Sequence, residues 1–87
     1  MIEIIDFYAD WCGPCKMQTP VLESLKEDYG DELTITKVDV DTNELASDYN
    51  IQSIPTLVIL KDDKIVETII GYHPKPRLKE IIDKYLT

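Results

Sequence analysis

The stretch Asp6-Phe7-Tyr8-Ala9-Asp10-Trp11-Cys12-Gly13-Pro14-Cys15-Lys16-Met17 joins two hydrophobic periodicities. Upstream, Ile2 to Tyr8 reads as a strand buried on both faces, because Ile4 and Ile5 put large apolar side chains on opposite sides of the pleat. Downstream, a helix is expected from about Pro14 to Tyr29, with Met17, Val21, Leu25 and Tyr29 at i+4 spacing and Leu22 beside them. Cys12 and Cys15 therefore fall where a buried strand gives way to a helix. In that context a C-x-x-C motif reads as a dithiol redox site.

Working outward, Gly30 should stop the helix, and Pro20 inside it should produce a kink rather than an end. Leu33 to Asp39, rich in β-branched residues, is the next strand. Asp41-Thr42-Asn43-Glu44 has capping-box spacing and opens a short helix to Tyr49. The runs Thr56 to Leu60 and Ile65 to Ile70 flank Lys61-Asp62-Asp63-Lys64 and read as a hairpin, which Gly71 ends. A last helix begins near Pro76 and places Leu78, Ile81, Ile82, Tyr85 and Leu86 on one stripe. The order is β-α-β-α-β-β-α. Strands joined through a helix are parallel by a right-handed crossover, and the hairpin adds an antiparallel pair. The expected fold class is α/β, one mixed four-stranded sheet with helices on both faces.

Eighty-seven residues with 44% hydrophobic and 30% charged side chains suit one globular domain over residues 1–87. A net charge of −8 argues against a nucleic-acid partner, since phosphate binding rests on clustered cations. Ile54 to Leu60 is far too short for a membrane span, and residues 1–6 show no basic n-region or long apolar h-region. No membrane association, a reducing cytoplasmic location and a monomer are the expectations. Two cysteines three positions apart cannot staple distant elements. A disulfide closing so short a loop would contribute only about 2 kcal/mol on a chain-entropy estimate, against more than about 4 for a loop of about 100 residues. Half of a zinc or iron–sulfur site would need further soft ligands, yet the chain has no other Cys and one His, His73. No metal is expected.

The first cysteine lies at the helix N-terminus, where free N–H groups and the macrodipole favour a thiolate. Cys12 is then the attacking nucleophile and Cys15, inside the first turn, the resolving thiol. Lowering a pKa of about 8.5 by about one unit raises the thiolate fraction at pH 7 about eightfold, and reduced nucleophilicity returns almost threefold of this, leaving about threefold. Most of any acceleration must therefore come from positioning the substrate disulfide, so a docking surface belongs to the site. Asp6 shares a strand face with Ile2, Ile4 and Tyr8, and a buried carboxylate is costly. On the residues alone it is either a functional acid or a strand end in solvent.

The full Trp11-Cys12-Gly13-Pro14-Cys15-Lys16 string, with Asp6 before it and Pro20, Ile54-Pro55-Thr56 and Gly71 after it in order, resembles the thioredoxin family over nearly the whole chain. The resemblance implies the thioredoxin fold and a protein-disulfide reductase with no bound cofactor. Its electrons would come from NADPH through a thioredoxin reductase, or from ferredoxin through a ferredoxin-linked one. The matching Asp of the family is buried behind the disulfide and acts through water as base for the resolving cysteine, which assigns that role to Asp6. Lys37 matches a family Lys that pairs with this Asp. Pro55 is expected to be cis, setting the Ile54 backbone beside Cys12 to pair with an extended substrate segment. Trp11, Gly13, Pro14, Ile54, Pro55 and Gly71 would form the docking groove, although Trp11 and Lys37 also fit plain core packing and a solvated strand position. His73, outside the match, reads as a surface histidine.

Tyr8 stands where many relatives have Trp, Ser53 where Gly is frequent, and Tyr72-His73-Pro74 where small residues are usual. These departures bear on groove shape and partner choice. Thioredoxins usually begin with another strand and helix before the strand that starts here at Ile2, so Leu33 to Asp39 is expected at an exposed sheet edge, with Thr34, Thr36 and Lys37 discouraging further pairing. Two competing functions remain on sequence grounds. One is a glutaredoxin-like or isomerase-like redox protein, disfavoured because no His separates the cysteines; the other is a non-catalytic scaffold subunit, disfavoured by retention of Cys12, Cys15 and Asp6.

Overall fold

A computed structural model describes residues 1–86. Within them β1 (Ile2–Tyr8), α1 (Gly13–Tyr29), β2 (Leu33–Asp39), α2 (Leu45–Asp48), β3 (Thr56–Lys61), β4 (Lys64–Ile70) and α3 (Lys75–Leu86) follow the expected order. The sheet order is β2-β1-β3-β4, with β1 parallel to β2 and antiparallel to β3, and β3 antiparallel to β4. Among the described residues β2 is an edge strand, as expected. No helix among them is long and apolar enough to cross a membrane.

The alternation along β1 feeds two separate cores. Ile2 and Ile4 pack with Leu22 and Leu25 of α1, Leu57 and Ile59 of β3, and Leu78, Ile81 and Ile82 of α3. Ile5 and Phe7 face the other way, onto Val38, Ala46, Val58 and Leu60, with Tyr49 tilted against Phe7. So α1 and α3 cover one face and α2 the other, which explains why β1 and β3 read as unbroken apolar runs. The edge strands β2 and β4 keep polar and half-exposed positions.

Local differences from the sequence reading each have a cause. The buried face of α1 is Cys15, Gln18, Leu22 and Leu25, whereas Met17 is exposed and Val21 and Tyr29 only half-buried. The stripe follows i, i+3, i+7, i+10 and admits a polar residue, so a count of apolar residues alone placed it wrongly. Helix α1 runs through Pro20 and ends at Gly30, whose φ of +56° suits a residue without a Cβ. Lys26 Nζ donates to the carbonyls of Gly30 and Leu33, closing the helix end onto the start of β2. The turn between β3 and β4 is only Asp62-Asp63, both at positive φ, so the hairpin is two residues tighter than Lys61 to Lys64. A bulge at Ile59/Leu60 shifts the register along it. The single turn of α2 is not capped by the expected box: Asn43 Oδ1 accepts the Leu45 N–H, while Asp41 turns elsewhere.

Leu57 is fully buried between the sheet's α1/α3 face and the helices, while Ile65 on β4 is 55% exposed. Urea denaturation should show Leu57→Ala losing about 3 kcal/mol with little change in slope, and Ile65→Ala losing less than about 1 kcal/mol. Equal losses would contradict the asymmetry of the sheet.

Candidate active site

The C-terminal end of β1 delivers the chain through Ala9-Asp10-Trp11 to α1, and Cys12 is the residue that caps the helix. Its backbone is extended (φ −87°, ψ 111°) and its Sγ accepts the Cys15 N–H at 3.2 Å. Cys12 N–H donates to Ala9 O and Lys16 N–H to Cys12 O, which fixes the turn into the helix. An N-terminal N–H aimed at sulfur, with the helix dipole behind it, is the arrangement that favours a thiolate. Pro14 suits the first helical turn, where no partner for an N–H is needed. Gly13 is exposed, with open space where a side chain would stand.

Cys12 and Cys15 form a disulfide, with Cα atoms 5.3 Å apart. Both are buried within a small cluster with Ala9, against which Tyr8, Val40 and Ile54 pack. Ile54-Pro55 is cis, and the Gly71 N–H donates to Pro55 O at 2.7 Å. The residues quoted for a groove thus lie on three separate chain segments brought to one end of the sheet. Trp11 is 70% exposed, not core, and its indole N–H donates to Asp41 Oδ2 at 2.8 Å. It borders a cleft of about 210 Å³ lined also by Val40, Ile51, Gln52, Ser53 and Ile54. Among the described residues no group of three or more His, Cys, Asp or Glu is placed to hold a metal ion.

Asp6 is fully buried on the face of β1 that α1 covers, and neither carboxylate oxygen has a hydrogen-bond partner among the described residues. Burial pushes its pKa up to about 6, with the positive charge of Lys37 opposing the shift. The direct Lys37–Asp6 pair that the resemblance implied is not formed, although the two residues are register neighbours on β2 and β1. Lys37 Nζ instead donates to Thr19 Oγ1 at 2.9 Å and lies 4.4 Å from the Tyr8 ring centroid. A hydroxyl and a ring face at the protein surface satisfy the ammonium without burying it, so it stays exposed and acts on Asp6 only through its field.

Gln18 escaped the sequence reading. It is fully buried one turn beyond Cys15, and its amide makes two hydrogen bonds with the backbone of His73: Nε2 donates to His73 O at 2.9 Å, and Oε1 accepts His73 N–H at 2.8 Å. His73, expected at the surface, is half-buried with Nδ1 2.9 Å from Gly71 O. The sequence signal was there to use: a polar side chain in phase with Cys15, Leu22 and Leu25.

Comparison with known proteins places these features in one family. The Thioredoxin family model matches residues 2–84. The thioredoxin of Bacillus subtilis is 52% identical over 86 residues, covering 98% of this chain and 83% of its own length. That of Listeria monocytogenes is 54% identical over 84 residues, covering 95% and 82%. A mutant thioredoxin from Halobacterium salinarum NRC-1 superposes with a TM-score of 0.89 at 44% identity, over 97% of this chain and 74% of that one.

The Asp6 shift gives a signed expectation. A carboxyl whose folded pKa lies above its unfolded value holds its proton in the native state while the unfolded chain loses it, so stability falls as pH rises from about 4 to about 6. Raising the pKa from 3.8 to about 6 corresponds to about 3 kcal/mol at pH 7. Asp6→Asn should therefore stabilise the oxidised protein by that order above pH 6, with the gain vanishing below about pH 4 in urea titrations. A gain independent of pH would refute the burial of an ionising carboxyl.

Proposed function

The chain belongs to the thioredoxin family and is a dithiol protein-disulfide oxidoreductase, and from that premise we propose how its residues divide the reaction. In the reduced protein the Cys12 thiolate attacks one sulfur of a substrate disulfide, forming a mixed disulfide and expelling one substrate thiolate. The Cys15 thiolate then attacks Cys12 Sγ, forming the Cys12–Cys15 disulfide and expelling the second substrate thiolate. Two electrons pass from the dithiol to the substrate, and the released thiolates take up the protons. The observation that carries the assignment is the capping geometry, in which Cys12 Sγ receives the Cys15 N–H at the helix start.

Asp6 suits the role of proton acceptor for Cys15, reached through water. A carboxylate at its ordinary pKa of 3.8 would lie about 4.7 units below a thiol of pKa about 8.5; at about 6 the gap narrows to about 2.5 units, which makes proton transfer about a hundredfold less uphill. At pH 7 it is still mostly ionised and able to accept. Lys37 moderates that shift from the edge strand. Trp11, Gly13, Pro14, Ile54, Pro55 and Gly71 form the docking groove, where an extended segment of the substrate pairs with backbone beside Cys12.

Electrons reach the dithiol from NADPH through a thioredoxin reductase, or from ferredoxin through a ferredoxin-linked one. A reducing, cytoplasmic setting and a monomeric chain suit this role, with disulfide-containing proteins as substrates.

Mixing the pre-reduced protein, freed of dithiothreitol, with insulin and following the adducts by mass spectrometry tests the division of labour. Cys15→Ser should accumulate the mixed disulfide on Cys12 without turnover, and Cys12→Ser should form no adduct. An adduct on Cys15 forming as fast in Cys12→Ser would reverse the roles. Asp6→Asn should leave formation of the mixed disulfide unchanged and slow its resolution at least about tenfold at pH 7, read by quenched flow; equal resolution rates would remove Asp6 from the reaction.

A further inference from the structure

Among the described residues the fully buried Gln18 amide ties the helix bearing both cysteines to the loop Gly71–Pro74. Its two hydrogen bonds to His73 run in opposite senses, donor to carbonyl and acceptor from N–H, so the pair is specific in geometry as well as satisfied. Around this contact the chain is drawn into a short series. Cys15 and Gln18 lie one turn apart on the inward face of α1; Gln18 holds the His73 backbone; the His73 ring lies against Gly71 O; and Gly71 N–H donates to Pro55 O, next to Ile54 in the cysteine cluster. The loop it holds carries Tyr72, 37% exposed, and follows Ile70, 65% exposed, so apolar side chains are presented to solvent beside the site.

Nothing in the packing requires a polar residue at that place. Position 18 is in phase with Leu22 and Leu25, which are filled by hydrocarbon, and a leucine or methionine would complete the same core. What an apolar side chain would not supply is a partner for the part-buried His73 N–H and C=O, and a polar group left unsatisfied there favours conformations in which it reaches water. The loop would then sample positions in which Gly71 no longer lines up with Pro55.

We infer that Gln18 is a positioning residue, whose bidentate grip on the His73 backbone holds the Gly71 side of the docking groove in register with the cysteine pair. It rests on the reading of Gly71 and Ile54 as groove residues. Gln18 touches neither sulfur, so its effect falls on disulfides that need the groove and spares those that do not.

Gln18→Met retains the volume and removes both hydrogen bonds. With insulin as the protein disulfide, its KM should rise about fivefold, the worth of about one net hydrogen bond, while kcat changes less than about twofold. The second-order oxidation of the reduced variant by cystamine, too small to span the groove, should match the wild type within about twofold, read from residual thiols. Ile54→Asp, which obstructs the groove directly, is measured alongside. Insulin KM unchanged in Gln18→Met but raised in Ile54→Asp overturns the positioning role and keeps the groove; KM unchanged in both overturns both. Cystamine oxidation slowed as much as insulin reduction also overturns it, since Gln18 would then act on the cysteines themselves. Amide hydrogen exchange of the unmodified protein gives a reading independent of how the variant folds. The His73 N–H should be protected at least about a hundredfold relative to an unstructured peptide, and exchange at the unstructured rate would show that the grip is not made.

Discussion

A strand buried on both faces and paired on both edges has only its ends at which to meet the rest of the chain, and β1 is such a strand. Its Ile2 and Ile4 commit to the core under α1 and α3, its Ile5 and Phe7 to the core over α2, and its backbone to β2 and β3. The chain must therefore leave the sheet beyond Tyr8 and turn back over one face, which sets the start of α1 at the sheet's C-terminal edge. Cys12 caps that start because the extended residue between strand and helix is the one whose side chain can accept the first free N–H groups. The redox pair follows from the topology of one strand.

The same burial creates the site's electrostatic tension. Asp6 occupies a position that the alternation of β1 assigns to the core, and among the described residues no hydrogen-bond partner offsets its burial. Lys37, one strand away, relieves it only in part and through its field, because Thr19 and Tyr8 hold the ammonium at the surface. The outcome is a carboxyl whose affinity for a proton lies between those of an ordinary aspartate and a thiol. A well-formed ion pair would stabilise the fold and draw the pKa back down. Stability and a raised proton affinity thus oppose each other at one residue.

Around the sulfurs, polar side chains serve to hold other groups in place. Asp41 holds the exposed Trp11 ring, Asn43 starts α2, and Gln18 holds His73. Each contact joins segments far apart in the chain or bridges a turn that hydrophobic packing leaves unspecified. That is why Trp11, Ile54-Pro55 and Gly71, which share no local sequence, meet at one end of the sheet.

How far these features could be read in advance depends on the range of the interaction behind them. Strand alternation, the helix stripe of α3, the stop at Gly30 and the C-x-x-C motif at a strand-to-helix junction are local patterns, legible from residue types and their spacing alone. The phase of the α1 face was misread because Gln18 looks like a surface residue until its partner, fifty-five positions away, is in view. The Asp41–Glu44 cap is not made, and Lys37 reaches Asp6 through its field rather than by direct contact, for a related reason: several acceptors lie within reach of each side chain, and only the folded packing chooses among them. Only the folded packing set the pKa of Asp6, the exposure of Trp11 and the grip of Gln18 on the His73 backbone, since burial and hydrogen-bond partners are properties of the space around a residue rather than of its neighbours in the chain.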